Sequence, residues 1–563
     1  MSVADLNLVV LAVTALLLIA VAAVRLSARA GLPTLLLYLG LGVTVGEAGL
    51  GFEFEDAQLT QLLGLVLLAI IIAEGGLTTR WEVIRPVLGP SLLLATLGVA
   101  LSVAITAAVT HLLLDVDLRT AVLLGAVVSS TDAAAVFSVL RRFPLKRRLR
   151  ATLEAESGSN DPLAIILVTL VVSDGWEQAA PLLGLVQVVY QLAIGAVVGL
   201  VVARVGESVL RRSALPSVGL YPIATVAIVM FAFAAAGVVA ASSFMAVYVA
   251  GLWLGNARLP HRNATLGFAE GLAWLSQISL FVLLGLLASP ERLPAALLPA
   301  LIVGGGLLLV ARPLSVLVCA TPFRVPWREQ AFMSWAGLRG AVPIVLATIP
   351  VSARLPAAQQ IFDIVFVLVV VFTLVQAPAL PSLARRLRVG DEEDTTEVAI
   401  ESAPLEQIDA DLLQFAVPPT SKLHGVAMWE LRLPPGAVVS VILRDGRTLV
   451  PDGRTTLRHG DQLLLVVPSK ARRQVERRLL AVHRAGRLAS WLGEPGATDP
   501  QPRAGRGPQL VRRWDRAVRR LRTAVERRAG GPATGHRVAD VEPSPEMPPW
   551  ADDQRRTHGV PRS

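Results

Sequence analysis

The first 388 residues alternate long apolar stretches with short polar loops. A bilayer core needs about 20 apolar residues of helix, so each stretch of that length predicts one membrane span. The first stretch is followed by many equally apolar ones, and we therefore interpret it as a span and not as a removed signal peptide. The pattern predicts thirteen spans, near residues 7–25, 33–50, 59–77, 87–114, 118–140, 149–173, 182–205, 216–237, 242–256, 270–288, 294–320, 329–351 and 361–385.

Basic residues fall in alternate loops, after every odd-numbered span. The largest cluster is "RRFPLKRRLR" at 141–150, whereas intervening loops such as "DGWEQ" at 174–178 are acidic or nearly neutral. Because positive loops stay in the cytoplasm, this asymmetry predicts an N-terminus outside and a C-terminus inside the cell (inner) membrane.

The odd number of spans predicts an internal symmetry. Spans 1–6 and 8–13 have opposite orientations, as in the inverted six-helix repeats of secondary transporters. The fifth member of each set contains small or helix-weakening residues and one charge, in "SSTDAAA" at 129–135 and "AGLRGAVP" at 336–343. Paired interrupted helices of this kind indicate a transport site.

Composition supports an all-α polytopic membrane protein. Hydrophobic residues make up 53% of the chain and charged residues only 17%, with a net charge of +9. The single cysteine, Cys319, excludes an intramolecular disulfide and a cysteine metal cluster.

The sixth span contains the residues with the clearest chemistry. A carboxylate at the bilayer centre costs about 2.5–3.5 kcal/mol even on the lenient insertion scale, yet Asp161 lies there beside Asn160 and Pro162. Ser157 lies four residues before Asp161 and therefore on the same helix stripe, and Glu156 relates to Asn160 in the same way. Carboxylate, amide and hydroxyl oxygens suit an alkali cation. Asp161 can bind either a proton or a cation, which is the chemistry of exchange.

Other mid-membrane groups have two readings each. Thr131 either caps the half-helix that begins at Ala133 or binds the ion, and Asp132 either compensates the helix dipole or binds the ion. Arg339 would compensate the negative end of a half-helix or serve conformational change. Glu74 either attracts cations into a funnel or is an interfacial residue.

Arg312 needs a buried carboxylate partner, and Glu156 is the candidate. The alternative functions are a gated cation channel and an intramembrane enzyme. The sequence contains no filter-like segment, which a channel would need, and no HExxH motif or mid-span histidine, which would indicate an enzyme. We therefore expect an antiporter, which is not an enzyme and needs no cofactor.

Five segments together resemble one family, and they lie in order on the expected spans. They are "EGGL" (74–77), "SSTDAAAVFS" (129–138), "ESGSNDP" (156–162), "ARPLSV" (311–316) and "GLRGAVP" (337–343). They resemble the NhaP-type sodium or potassium/proton antiporters of the monovalent cation:proton antiporter family 1. The resemblance implies a homodimer in membrane lipid, each subunit having a scaffold and a moving core with crossed interrupted helices.

The resemblance also implies roles for individual residues. Asp161 would be the carboxylate shared by H⁺ and by K⁺ or Na⁺, with Asn160 beside it and Thr131 and Ser157 as further alkali-cation ligands. Asparagine in place of a second aspartate suggests electroneutral exchange. Thr-Asp-Ala departs from the Thr-Asp-Pro of some relatives, and alanine does not break a helix, which leaves the extent of unwinding open.

The composition changes after Arg388. Residues 389–408 read as an acidic linker, and 409–484 as a small α/β domain with turns at Asp445-Gly446 and Asp452-Gly453 and a helix from Ser469. This domain resembles the cytoplasmic TrkA-C (RCK-C) regulatory domain. Such domains bind a nucleotide or ion ligand, the alternative being a dimerisation module without ligand. The appendage favours potassium as the exchanged cation.

The tail, 485–563, is rich in arginine, proline and glycine, and most of it is expected to be disordered. Apolar residues at helical spacing predict a basic amphipathic helix at 509–528, which would lie on the anionic inner leaflet or form a short coiled coil. No nucleic-acid-binding fold accompanies the arginines, so we expect no nucleic-acid partner.

Overall fold

The computed structural model describes residues 3–489 except 31–32, 47–55, 141–142, 144, 174–175, 177–180, 391–399, 406–409, 420, 469–470 and 487–488. The tail beyond residue 489 lies outside the described residues, and with it the helix predicted at 509–528.

The transmembrane half of the described chain is helical. Its helices are α1 (Val3–Ala30), α2 (Thr34–Val45), α3 (Ala57–Thr78), α4 (Trp81–Ile84), α5 (Leu88–Leu93), α6 (Val99–Leu114), α7 (Leu118–Val127), α8 (Ala133–Val139), α9 (Arg147–Val172), α10 (Pro181–Arg212), α11 (Leu220–Val238), α12 (Ser243–Asn256), α13 (Arg262–Leu287), α14 (Leu293–Gly306), α15 (Arg312–Ala320), α16 (Trp327–Trp335), α17 (Ala341–Ser352) and α18 (Ala358–Leu387).

Eight helical segments of the described chain are long and apolar enough to cross a membrane: Gln58–Thr78, Trp81–Leu114, Arg147–Val172, Leu183–Arg212, Leu220–Val238, Arg262–Leu287, Leu293–Phe323 and Ala358–Leu387. Five shorter apolar helices lie in the first, second, fifth, ninth and twelfth predicted windows. The prediction of a mostly helical membrane protein is therefore confirmed.

Two of the long segments each contain a π-helical turn. One turn, Leu94–Gly98, joins α5 to α6, and the other, Leu307–Ala311, joins α14 to α15. Each turn packs against the helix that follows the other turn. They lie in the fourth and eleventh predicted spans, which are the fourth members of the two predicted repeats. Arg312 begins α15 directly after the second turn.

The two predicted helix interruptions are present and in contact. The first separates α7 from α8 at residues 128–132, and the second separates α16 from α17 at residues 336–340. The backbone N–H of Asp132 donates to the carbonyl of Leu338 over 2.8 Å. The chain unwinds without a proline after Asp132, because this bond and a side-chain cap replace the missing helical hydrogen bonds.

The C-terminal domain is a five-stranded antiparallel sheet covered by α19 (Arg472–Ala485). Its strands are β1 (Ile400–Leu405), β2 (Ala410–Ala416), β3 (Val438–Arg444), β4 (Arg447–Leu449) and β5 (Gln462–Pro468), in the spatial order β1-β2-β5-β3-β4. Strand β1 lies within the segment predicted as linker, so the sheet extends into it. The final helix begins at Arg472, and Ser469, the predicted start, lies outside the described residues.

One of the two predicted hairpin turns is present. Asp445 and Gly446 have φ values of 49° and 76° and connect the paired strands β3 and β4. The prediction for Asp452-Gly453 is wrong, because no described strand pair is joined there. The Asp452 carboxylate instead accepts a hydrogen bond from the Thr455 hydroxyl, and the following residues pair with Ala427.

Candidate ion-binding site

Helix α9 places the central carboxylate next to the first interruption. The helix continues through Pro162, and its residues Glu156, Asn160 and Asp161 are buried. The stripe that faces the interruption therefore carries Asn160 four residues after Glu156 and Asp161 four residues after Ser157.

The hydroxyl of Ser130 donates to Oδ1 of Asp161 over 2.5 Å. Ser130 is only 1% exposed, and it lies in the unwound segment between α7 and α8. Our sequence reasoning did not single out this residue. The available signal was the serine pair before Thr-Asp, because a hydroxyl in an interrupted membrane helix needs a partner outside its own helix.

Three further predicted residues form one connected set of hydrogen bonds. The Asn160 amide donates to Oγ1 of Thr131 over 2.6 Å, and the Ser157 hydroxyl donates to the Thr131 carbonyl over 2.9 Å. Ser157 Oγ in turn accepts from the backbone N–H of Ala133 over 3.2 Å. Among the described residues, Oδ1 of the buried Asn160 has no hydrogen-bond partner. A buried acceptor without a donor is favourable only when a cation, a proton donor or water satisfies it.

Asp132 has the geometry of a residue that compensates the dipole of α8. Its carboxylate accepts from the backbone N–H of Ala135 over 3.1 Å and so caps α8. A negative charge at the positive end of the half-helix stabilises the interruption.

Glu156 and Arg312 form the predicted ion pair. Arg312 donates from both terminal nitrogens to the two carboxylate oxygens of Glu156, over 2.5 and 3.0 Å. The side chains are 1% and 6% exposed, so the pair is enclosed by packed helices. It fixes α15 to α9, the helix of Asp161, five residues before that carboxylate.

Arg339 lies in the second interruption. It donates to the Gly337 carbonyl over 3.1 Å, close to the end of α16, where a positive charge offsets the helix dipole. Among the described residues no carboxylate forms an ion pair with Arg339, and its Nε has no hydrogen-bond partner.

Glu74 does not contact this set of residues. It lines a separate cavity of about 660 Å³ together with Glu270, Leu145 and part of α8. Asp161 is not among the residues that line this cavity, and the funnel role of Glu74 stays a prediction. The structure therefore brings together Asp161, Asn160, Thr131 and Ser157, and leaves Glu74 outside.

Two protein-family models match this chain, each over a different part of it. A family model described as sodium/hydrogen exchanger, transmembrane, matches residues 13–386, and a TrkA-C domain model matches residues 412–480. The K(+)/H(+) antiporter NhaP of Alkalimonas amylolytica is 37% identical over 473 residues, 82% of this chain and 81% of that protein. The K(+)/H(+) antiporter NhaP2 of Shewanella oneidensis is 36% identical over 455 residues, 79% of each chain.

A solved structure has the same fold. The sodium proton antiporter MjNhaP1 from Methanocaldococcus jannaschii at pH 8 superposes with a TM-score of 0.61 and covers 69% of this chain and 100% of its own. The two sequences are 22% identical, so this likeness concerns the fold.

Proposed function

Since the chain belongs to the sodium/hydrogen exchanger family and carries a TrkA-C domain, we propose that it exchanges K⁺ for H⁺ at Asp161 by alternating access. The family is one of cation/proton antiporters, so the protein is a transporter and not an enzyme. The observation that carries the proposal is the buried Asp161 carboxylate, which accepts a hydrogen bond from Ser130 and lies beside Asn160, whose Oδ1 has no partner among the described residues.

Competition at Asp161 couples the two substrates. The carboxylate accepts either a proton or a cation, and the oxygens of Ser130, Thr131, Ser157 and Asn160 add hard ligands for the cation. Either occupant neutralises Asp161. The empty carboxylate would cross the apolar barrier at a high desolvation cost, so only the occupied core moves.

Exchange is electroneutral in this proposal. Asn160 stands where a second carboxylate would add a second proton, and it carries no charge. One cation then replaces one proton in each cycle.

Potassium is the proposed cation because two K(+)/H(+) antiporters match both the transmembrane region and part of the TrkA-C domain of this chain. The two relatives compared above, each called a K(+)/H(+) antiporter, match about four-fifths of this chain. Their matches are longer than the transmembrane half alone and therefore include part of the cytoplasmic domain.

We propose thirteen spans in two inverted repeats, with the N-terminus outside and the C-terminus in the cytoplasm of the cell (inner) membrane. The two interruptions and the two π turns fall in corresponding members of the repeats, which supports this arrangement. A homodimer in membrane lipid, with one scaffold and one moving core per subunit, completes the proposal. The TrkA-C domain is a regulatory domain, and we propose a nucleotide or an ion as its ligand.

The second candidate, a gated cation channel, would conduct ions without coupled proton movement. Everted vesicles with a pH-sensitive fluorophore distinguish the two. We expect K⁺ to produce the largest fluorescence recovery in a comparison with Na⁺, Rb⁺ and Li⁺. We also expect recovery to be unchanged when thiocyanate dissipates the membrane potential. Cation current without any proton movement would contradict antiport, and a larger response to Na⁺ would contradict the potassium assignment alone.

A further inference from the structure

The chain leaving α18 does not run directly into the cytoplasmic linker. It turns at Arg388, which has a φ of 53°, and then pairs with the loop that precedes α9. Leu145 and Gly390 form an antiparallel β-bridge, and the Lys146 N–H donates to the Val389 carbonyl over 3.1 Å. We call these four residues, 145–146 and 389–390, the exit pair.

Two residues of the exit pair are buried, and the exit pair joins several functional parts. Val389 is 0% exposed and Leu145 is 5% exposed. Leu145 lines the same 660 Å³ cavity as Glu74, and Arg147, the first residue of α9, follows Lys146 directly. The Lys146 ammonium also lies 3.8 Å from Glu329 on α16, so the loop contacts both helices that flank the candidate site.

A contact between the C-terminal domain and the transmembrane helices is exposed. Arg473 on α19 donates to Glu82 on α4 over 3.0 Å, and the two side chains are 76% and 68% exposed. Such pairs contribute little in water. The contact between Arg473 and Glu82 therefore opposes a movement of the domain only weakly. Nine residues, 391–399, connect Gly390 of the exit pair to β1.

We propose that the exit pair is the contact through which the cytoplasmic domain controls the ion path. Displacement of Val389 and Gly390 withdraws the packing partner of Leu145, which changes the wall of the cavity and the start of α9. This inference rests on the proposed function, because exchange is one of its readouts. Loss of one backbone hydrogen bond lowers the ratio of paired to unpaired molecules by about 2- to 13-fold.

The backbone at Lys146 allows a matched test. Its φ of −49° is close to the value that proline fixes, so Lys146→Pro removes the N–H donor with little strain. Lys146→Ala keeps the N–H and removes the same ammonium group. The difference between these variants therefore reports the backbone hydrogen bond and not the contact with Glu329.

The experiment uses the full chain with a protease site inserted in the 391–399 segment. The K⁺ concentration for half-maximal exchange is measured in vesicles before and after cleavage. We expect cleavage to change it at least twofold in the wild type and in Lys146→Ala. Lys146→Pro should show the cleaved value beforehand and should not respond. A full response in Lys146→Pro, or no response in any variant, overturns the proposal.

Amide hydrogen exchange of residues 147–153 in the same samples does not depend on transport. Cleavage should accelerate it in the wild type and Lys146→Ala, and it should be fast from the start in Lys146→Pro. This readout separates a failure of the exit pair from a failure of the proposed antiport. If Lys146→Pro does not reach the membrane, Val389→Ala is the second variant. It weakens the buried contact and should reduce the response to cleavage, and an unchanged response overturns the proposal.

Discussion

Replacing Glu156 with glutamine removes one charge from a buried pair and leaves its shape nearly intact. Arg312 then loses its opposite charge and one of its two acceptor oxygens, and its Nε already has no partner among the described residues. Breaking a buried pair from one side costs about 3–5 kcal/mol, because the remaining charge stays desolvated. We expect Glu156→Gln to lower the unfolding free energy of the detergent-purified protein by this amount.

The variants Glu156→Gln and Arg312→Met should lose different amounts of unfolding free energy. Arg339 lies within electrostatic range of both members of the pair. Removing Glu156 leaves two buried arginines that repel each other, whereas Arg312→Met leaves Glu156 with Arg339 as a nearby opposite charge. Glu156→Gln should therefore be the more destabilising variant.

A double-mutant cycle with thermal unfolding as the assay tests this reasoning. The double variant Glu156→Gln/Arg312→Met leaves no unpaired member, so it should lose clearly less stability than the sum of the single variants. Additive losses, or single losses below about 1 kcal/mol, would refute the view that the pair braces α15 against α9.

Three further predictions concern the site, the packing around it and the cytoplasmic domain. Ser130→Ala removes the hydroxyl that contacts Asp161 and should raise the K⁺ concentration for half-maximal exchange several-fold. Ser129→Ala removes a hydroxyl that donates to the Ala126 carbonyl of α7 and should leave that concentration unchanged; equal effects would contradict a ligand role for Ser130. A methyl group at Gly158 would overlap the Tyr248 ring, so Gly158→Ala should impair exchange and Gly158→Ala/Tyr248→Ala should recover part of it; no recovery would assign the defect elsewhere. Burial, with a smaller effect of Arg484, lowers the pKa of His483 below 6.5, so the domain should lose stability as pH falls below 6.5 by at most about 1.4 kcal/mol per pH unit. Hydrogen exchange of β5 should show this loss in the wild type and not in His483→Gln, and the same pH dependence in both would refute it.

The pattern of apolar windows predicted the helices well, because a bilayer imposes one length and one composition on every span. Charges that are costly in that setting also stand out. This is why Glu156, Asn160, Asp161 and Arg312 could be selected from the sequence and are found together at the site.

Features that depend on tertiary contacts were beyond such reasoning. Ser130 is an ordinary residue until the unwound segment meets α9, and the bond between Asp132 and Leu338 joins residues more than 200 positions apart. The π turns leave no mark in hydropathy. The interruption without proline likewise depends on a partner segment that local propensity does not describe.

Binding of the proton and the cation in turn at the Asp161 carboxylate is tested by K⁺-dependent fluorescence recovery in everted vesicles. The vesicles contain equal amounts of wild type, Asp161→Asn or Asp115→Asn. Asp115 is an exposed loop residue with a φ of 51°, a conformation that asparagine also adopts, so the control makes the same chemical change away from the site. We expect full recovery with Asp115→Asn and none with Asp161→Asn. K⁺-dependent proton movement that persists in Asp161→Asn would contradict the account.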